Sequence, residues 1–210
     1  MKPCAIVVVV GLAGCSQPGL KGSGKAKAEA RPVTGFTAVD ASGAVDVEIA
    51  NGPEPRVEVT GDDNLVPLID TQSDGSRLVI RNRESVRPVV PLVVRIAAPR
   101  ISAVTVSGAT TVTMHGARDE LTVHGDGAAT LHGDGAVRQL TVDASGACTL
   151  DLDQLTAERA RVESSSAATV SVDVTRALDV RVSGAATVNY RGDPPELKRD
   201  VSTAGTLTKR

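Results

Sequence analysis

Residues 107–150 read SGATTVTMHGARDELTVHGDGAATLHGDGAVRQLTVDASGACTL, and this stretch contains one six-residue unit three times. The unit is Ser or Asp, three residues that are small or Thr, then Thr, then Val or Leu. Its copies are SGATTV (107–112), DGAATL (126–131), SGACTL (145–150), SSAATV (165–170), SGAATV (183–188) and STAGTL (202–207), with a looser copy, SGAVDV, at 42–47. The six regular copies start 18 to 20 residues apart. Self-similarity at a fixed period of this length is typical of a solenoid.

A second apolar alternation precedes each copy, for example AVTV at 103–106 and ELTV at 120–123. The array shows no helical period of 3.6 residues, and Gly, Ser and Asp separate the two alternating runs. The sequence therefore predicts an all-β protein: a parallel β-helix, or β-solenoid, with coils of about 19 residues.

Strand alternation also predicts which side chains point into the solenoid. The larger interior residues should be Val112, Met114, Leu131, Leu150, Leu152, Val170, Val172, Val188, Tyr190 and Leu207. A second inner column, at the bend, should hold Thr110, Ala129, Cys148, Ala168, Ala186 and Gly205. All six are small, as a tight inner corner requires, so we interpret Cys148 as a buried small hydrophobe and not as a reactive thiol.

The residue between the two inner columns is Thr in every regular copy. This predicts an outward-facing row of Thr111, Thr130, Thr149, Thr169, Thr187 and Thr206. A flat Thr row can bind a regularly spaced ligand such as ice. High β-propensity and Thr–Thr pairing favour a structural interpretation, because the next outward column is irregular.

The chain starts MKPCAIVVVVGLAGC, with one Lys, an apolar run and then small residues before Cys15. The run from Cys4 to Gly14 is shorter than the roughly 20 residues that span a bilayer, so it predicts a signal peptide over residues 1–14. The four residues LAGC resemble a bacterial lipobox, which implies acylation of Cys15 and a membrane anchor. An incidental cysteine is the alternative. Ser16 stands where Asp would hold a lipoprotein at the inner membrane, so the resemblance implies the outer membrane.

Residues 15–32, CSQPGLKGSGKAKAEARP, have little to bury, and we expect the acylated Cys15 followed by a flexible tether. The folded domain should then cover residues 33–208.

The stretch HGDGAATLHGDG at 124–135 suggests a metal site built from His124, Asp126, His132 and Asp134, with His115 nearby. Such a site needs three or four converging ligands. Asp126, however, occupies the turn position that Ser fills in other copies, which favours turns over a metal site. We expect neither a metal nor another cofactor.

Composition argues against several classes of function. The net charge is −2 and no basic block stands out, so nucleic acid is not an expected partner. Aromatic residues make up 1% of the chain, which removes most stacking platforms. The acids of the array (Asp143, Asp151, Asp153 and Asp173) occupy different positions in different coils, and no nucleophile motif is present. We therefore expect no enzyme.

The segments GFTAVDASGAVDVEIANG (35–52), RVEVTGDDNLVPLIDTQSDGSRLVIRN (56–82) and VRIAAPRISAVTVSGATTVTMHG (94–116) resemble the bacterial domain described as putative auto-transporter adhesin, head GIN domain. The resemblance covers about residues 33–208 and implies a β-helical cell-envelope protein. It brings no functional residues with it.

The expected function is that of a lipid-anchored, non-enzymatic adhesin or binding module with an envelope or external partner. The alternatives are a periplasmic scaffold and, third, a glycan-processing enzyme. End-to-end self-association at an exposed terminal strand stays open.

Overall fold

A computed structural model describes residues 19–202 and 204–210. The strands are β1 (Leu20–Lys21), β2 (Ala26–Arg31), β3 (Ala38–Ser42), β4 (Asp46–Asn51), β5 (Arg56–Asp62), β6 (Ile69–Ser73), β7 (Arg77–Asn82), β8 (Val86–Arg87), β9 (Val93–Ala98), β10 (Ala103–Val106), β11 (Thr111–Gly125), β12 (Thr130–Ala144), β13 (Thr149–Ser164), β14 (Thr169–Val182), β15 (Thr187–Arg191), β16 (Glu196–Val201) and β17 (Thr206–Lys209). One short 3₁₀ turn, Val66–Leu68, precedes β6. Within these residues, no helix has the length and apolar character needed to cross a bilayer.

The predicted β-solenoid is confirmed by the strand register. Strands β10 to β17 pair in parallel, and the Thr of each repeat lies beside the Thr of the next: Thr111 beside Thr130, and Thr130 beside Thr149. Where a coil is longer, the ladder shifts at the bend, as between Leu152 and Thr156. The tight turn therefore keeps its register while the bulged bend on the other side absorbs length differences.

The core is the aliphatic interior that alternation predicts. Val112, Leu131, Leu150, Val170 and Val188 are each 0% exposed. At the bend, Thr110, Ala129, Cys148, Ala168 and Ala186 are buried as well, and burial raises the pKa of the Cys148 thiol. Tyr190, Gly205 and Leu207 are only half-buried, since they lie in the last coils.

The N-terminal coils are stacked out of sequence order. Strand β3 pairs with both β10 and β7, and β4 pairs with both β11 and β9, all in parallel. The looser repeat at 42–47 thus lies directly beside the copy at 107–112. The chain between them and the preceding strand β2 build the closed end of the solenoid through the antiparallel pairs β2–β5, β5–β9 and β6–β7.

The predicted flexible tether is wrong for residues 20–31. Strand β2 pairs with β5 along its whole length, and β1 pairs with β8. Most β2 side chains are exposed, so backbone hydrogen bonds hold this strand and its composition does not reveal it. The guanidinium of Arg31 also donates to the carbonyl of Val66 at 2.8 Å. Cys15 and the predicted signal peptide lie outside the described residues.

Candidate binding groove

Five consecutive coils turn at a Ser or Asp followed by a residue with positive φ. Gly108, Gly127, Gly146 and Gly184 have φ between 65° and 73°, and Ser166 takes the same conformation with φ 62°. Backbone amides join the stacked turns: the Asp126 N–H donates to the carbonyl of Val106 at 2.9 Å, and this bond recurs in later coils. The repeat therefore encodes a column of identical turns along the solenoid.

A groove of about 580 Å³ runs along this turn column. One of its walls is the row of turn residues, and the other is the outward residue two positions earlier in each coil. Its two walls consist of Thr105, His124, Asp126, Asp143, Ser145, Glu163, Ser165, Arg181, Ser183, Asp200 and Ser202. Hydroxyl and carboxylate groups thus repeat along it at the strand spacing of about 4.8 Å.

The groove contains more acids than bases. Glu163 lies between Arg161 at 2.6 Å and Arg181 at 3.3 Å, and the hydrogen bond from Arg161 lowers the pKa of its carboxyl group. Asp126 accepts a hydrogen bond from the Ser145 hydroxyl at 2.9 Å, which lowers the pKa of Asp126. These carboxylates are therefore ionised at neutral pH.

Two further acids complete the anionic character of the groove. Asp143 lies 3.0 Å from His124 of the preceding coil, and Asp200 is an exposed residue of the last coil. Against four carboxylates the groove has one guanidinium, that of Arg181, and one imidazole. It is consequently a hydrogen-bond acceptor surface more than a donor surface.

Sequence reasoning did not identify this groove. Its signal is positional: a side chain with an ionisable group stands two places before the turn Ser or Asp in five consecutive copies, at 124, 143, 163, 181 and 200. The identities are His, Asp, Glu, Arg and Asp, so no single-residue motif marks the row.

The predicted threonine row lies on the other side of the same turns. The register aligns Thr111, Thr130, Thr149, Thr169, Thr187 and Thr206. They are half-buried or exposed, and the row continues into Asp46 of β4 and not into another Thr. A role for this row in ligand binding stays a prediction.

The residues considered for a metal site are not brought together. Each histidine pairs with the aspartate 19 residues later, in the next coil: His115 with Asp134 at 2.6 Å, His124 with Asp143 at 3.0 Å, and His132 with Asp151 at 3.5 Å. Backbone N–H of Gly116 and the His115 ring together lower the pKa of Asp134. Among the described residues no group of three or more metal-ligating side chains converges. The repeated His and Asp therefore form pairs that link neighbouring coils.

The acids considered for glycan cleavage are likewise engaged one by one. Asp151 pairs with His132, Asp153 lies 3.1 Å from Arg191, and Asp173 accepts a hydrogen bond from Thr156 at 2.9 Å. Each contact joins different coils, as expected for side chains that stabilise the stack.

Several solved structures share this fold. A putative adhesin from Bacteroides fragilis superposes with a TM-score of 0.72 at 16% identity, covering 91% of this chain and 100% of that chain. A putative lipid binding protein from Parabacteroides distasonis gives 0.59 at 18%, and a putative adhesin from the same species gives 0.55 at 17%, each covering 91% of this chain and 99% of the other. At these identities the likeness concerns the fold.

No curated protein matches the sequence. The family model described as putative auto-transporter adhesin, head GIN domain, matches residues 35–194. That span includes strands β3 to β9 of the N-terminal part and most of the regular coils, and it starts after β1 and β2. The chain therefore belongs to the head GIN domain family of putative auto-transporter adhesins.

Proposed function

We propose that this chain is a lipid-anchored, non-enzymatic binding protein of the cell envelope, acylated at Cys15 in the outer membrane, and that its groove binds an extended polysaccharide. The observation that carries the proposal is the groove itself. It presents hydroxyl and carboxylate groups in two parallel rows, from the coil of Thr105 to the coil of Ser202.

The chemistry of the groove suits a hydroxyl-rich chain. Ionised carboxylates are strong acceptors for hydroxyl donors, and serine hydroxyls both donate and accept. Because a hydroxyl or carboxylate group returns at the turn of each coil, an extended polymer makes many weak contacts in register. A small ligand would fill only part of the groove, so an extended polymer makes more contacts along it.

Two observations support a binding role without catalysis. Asp151, Asp153 and Asp173, which lie outside the groove, each contact a partner in another coil, so they are not paired across a cleft as glycoside hydrolysis requires. The descriptions of the structural neighbours name adhesion and lipid binding, and none names a reaction.

Titration of the purified chain against a panel of envelope and host-surface polysaccharides tests the groove. The double variant Asp143→Ala/Asp200→Ala should weaken binding at least about tenfold, since two charge-assisted hydrogen bonds are lost. The matched control Asp151→Ala/Asp173→Ala, outside the groove, should leave affinity unchanged. Equal loss in both variants would place the site elsewhere, and release of cleavage products would contradict the non-enzymatic assignment.

The anchor is tested in cells by comparing the native chain with Cys15→Ser. We expect mass spectrometry to find acyl chains on the native protein only, and protease and membrane-impermeant reagents to reach it on intact cells. Acylated but protected protein would favour the periplasmic scaffold. Protein without lipid would overturn the anchor.

A further inference from the structure

The closed end of the solenoid, where the described chain begins, exposes aliphatic side chains. Leu20 is 45% exposed and Val89 is 56% exposed. They lie at the same end because Leu20 pairs in register with Val86, and the loop at Gly24 approaches the Val89 side chain. Two exposed aliphatics at one end of a domain can contribute apolar area to a contact surface.

Three exposed cations lie at the same end: Lys21, Lys25 and Arg87, of which Lys21 and Arg87 are register partners. Within the described chain, none of the three lies within 4.0 Å of a carboxylate.

The acids at this end largely have partners of their own. Asp62 is buried against backbone amides, Asp63 accepts a hydrogen bond from Ser23, and Asp70 pairs with Arg83. Glu84 is the exposed exception. Asp62 and Asp63 keep their negative charge because their partners are neutral, but among the described residues no acid forms an ion pair with Lys21, Lys25 or Arg87, so these three cations are available to an anionic partner.

The proposed acylation site is close to this surface. Three residues separate Cys15 from Gly19, and the four fully extended residue-to-residue steps span only about 14 Å. An acyl chain on Cys15 therefore holds Leu20 and Lys21 next to the lipid headgroups, at an effective concentration at which weak contacts suffice.

We propose that this end, formed by Leu20, Lys21, Lys25, Arg87 and Val89, docks on an anionic membrane surface. The cations contact lipid phosphates while the two aliphatics enter the interface. The inference rests on the proposed lipid anchor and adds an orientation to it. Eight strands stack from β7 to β16, so the last coil stands roughly 34 Å farther from the bilayer. The groove is thereby presented away from the membrane.

A single introduced tryptophan tests the orientation, because the chain has none of its own. Acylated Val89→Trp and Thr208→Trp proteins are reconstituted in phosphatidylglycerol-containing vesicles with brominated acyl chains. We expect strong quenching for Val89→Trp and none for Thr208→Trp, which lies in the last coil. The triple variant Lys21→Glu/Lys25→Glu/Arg87→Glu should abolish the quenching. Equal quenching of the two tryptophans, or no quenching of either, would overturn the proposal.

A second measurement separates this inference from the anchor. The unacylated Cys15→Ser chain should still sediment with phosphatidylglycerol vesicles but not with pure phosphatidylcholine. Each cation contributes about fivefold, so the triple variant should bind roughly a hundredfold more weakly. The matched control reverses the charge of three exposed cations that lie elsewhere, Arg118, Arg138 and Arg159. If Cys15 proves unacylated, the proposed anchor is wrong, but the charge dependence of vesicle binding still tests the docking surface. An equal loss of binding in the control variant would overturn the docking proposal.

Discussion

The carboxylate of Asp62 accepts a hydrogen bond from the backbone N–H of Gly24, with 2.6 Å between oxygen and nitrogen. Its second oxygen accepts from the N–H groups of Val89 and Val90 at 2.9 and 3.1 Å. One buried acid therefore fastens two separate segments of the closed end, residues 22–24 and 89–90. A Cβ at Gly22 would overlap the carboxylate, which explains why this position is glycine.

Replacing Asp62 with Asn should loosen this end, because an amide nitrogen in place of one oxygen faces N–H donors. We expect faster hydrogen exchange in β1 and β2, with the exchange of β12 and β13 unchanged. Asp63→Asn, which alters a neighbouring partly exposed acid, is the control. Unchanged exchange in Asp62→Asn would show that the ladder between β2 and β5 holds the end by itself.

The same carboxylate predicts a pH dependence. Burial alone would raise the pKa of Asp62, but the hydrogen bonds from Val89, Gly24 and Val90 outweigh it, so the pKa is lowered in the folded chain. Its stabilisation is therefore complete above the unfolded carboxyl pKa of about 3.9 and is lost as pH falls through the lower folded value. The protection factors of the β2 amides, which correct for the intrinsic pH dependence of exchange, should fall across that acidic range in the native chain and change less in Asp62→Asn.

The assignment of inner and outer faces predicts unequal effects for two adjacent substitutions. Ala168 is 0% exposed, so Ala168→Glu buries an unpaired charge and should cost at least about 3 kcal/mol. Thr169 faces outward, and Thr169→Glu should change the free energy of unfolding by less than about 1 kcal/mol. Urea denaturation of both variants measures the difference, and similar losses would mean that the two columns are wrongly assigned.

The turn column predicts a stabilising substitution. Ser166 has φ 62°, where its neighbours in the column are glycine. Because a side chain in this conformation costs about 1–2 kcal/mol, Ser166→Gly should raise the free energy of unfolding by about 1 kcal/mol. Gly146→Ala should have the opposite effect, since its Cβ would lie 2.7 Å from the backbone nitrogen of Gly127. Thermal unfolding of the two variants should shift in opposite directions.

The regular coils could be predicted from the sequence because a parallel solenoid aligns equivalent residues of successive repeats. One period then determines every row, including the buried column that contains Cys148. The closed end could not be predicted, because β2 is an exposed strand held by backbone pairing with β5, 30 residues away in sequence, and its AKAEAR composition lacks an apolar stripe. The groove could not be predicted because the side chains along its outward wall recur at the same position of each repeat but differ in residue type.

A buried hydroxyl in the inner face predicts a second gain in stability. Ser164 is 3% exposed, and its Oγ has no hydrogen-bond partner within the part of the chain that the structure describes. Its register partners are Ala144 and Val182. An unsatisfied buried hydroxyl costs about 1–3 kcal/mol, so Ser164→Ala should stabilise the fold by about 1 kcal/mol. Ser165→Ala, which removes a hydroxyl that bonds the Ala144 carbonyl, should not stabilise it.

The last coil carries charges at positions that are apolar in the coils beneath it. Arg199 lies in register with Val180, and Lys209 with Tyr190. Charged side chains in an inner row oppose the stacking of another coil onto an open edge, so we expect at most weak end-to-end association of the native chain.

The double variant Arg199→Val/Lys209→Val should make this end apolar beside the exposed Leu197 and Val201. Light scattering over a concentration series should then detect dimers or longer stacks, while Arg176→Val with Arg181→Val, on outer positions, should not. A double variant at 199 and 209 that stays monomeric would show that these charges do not control the edge.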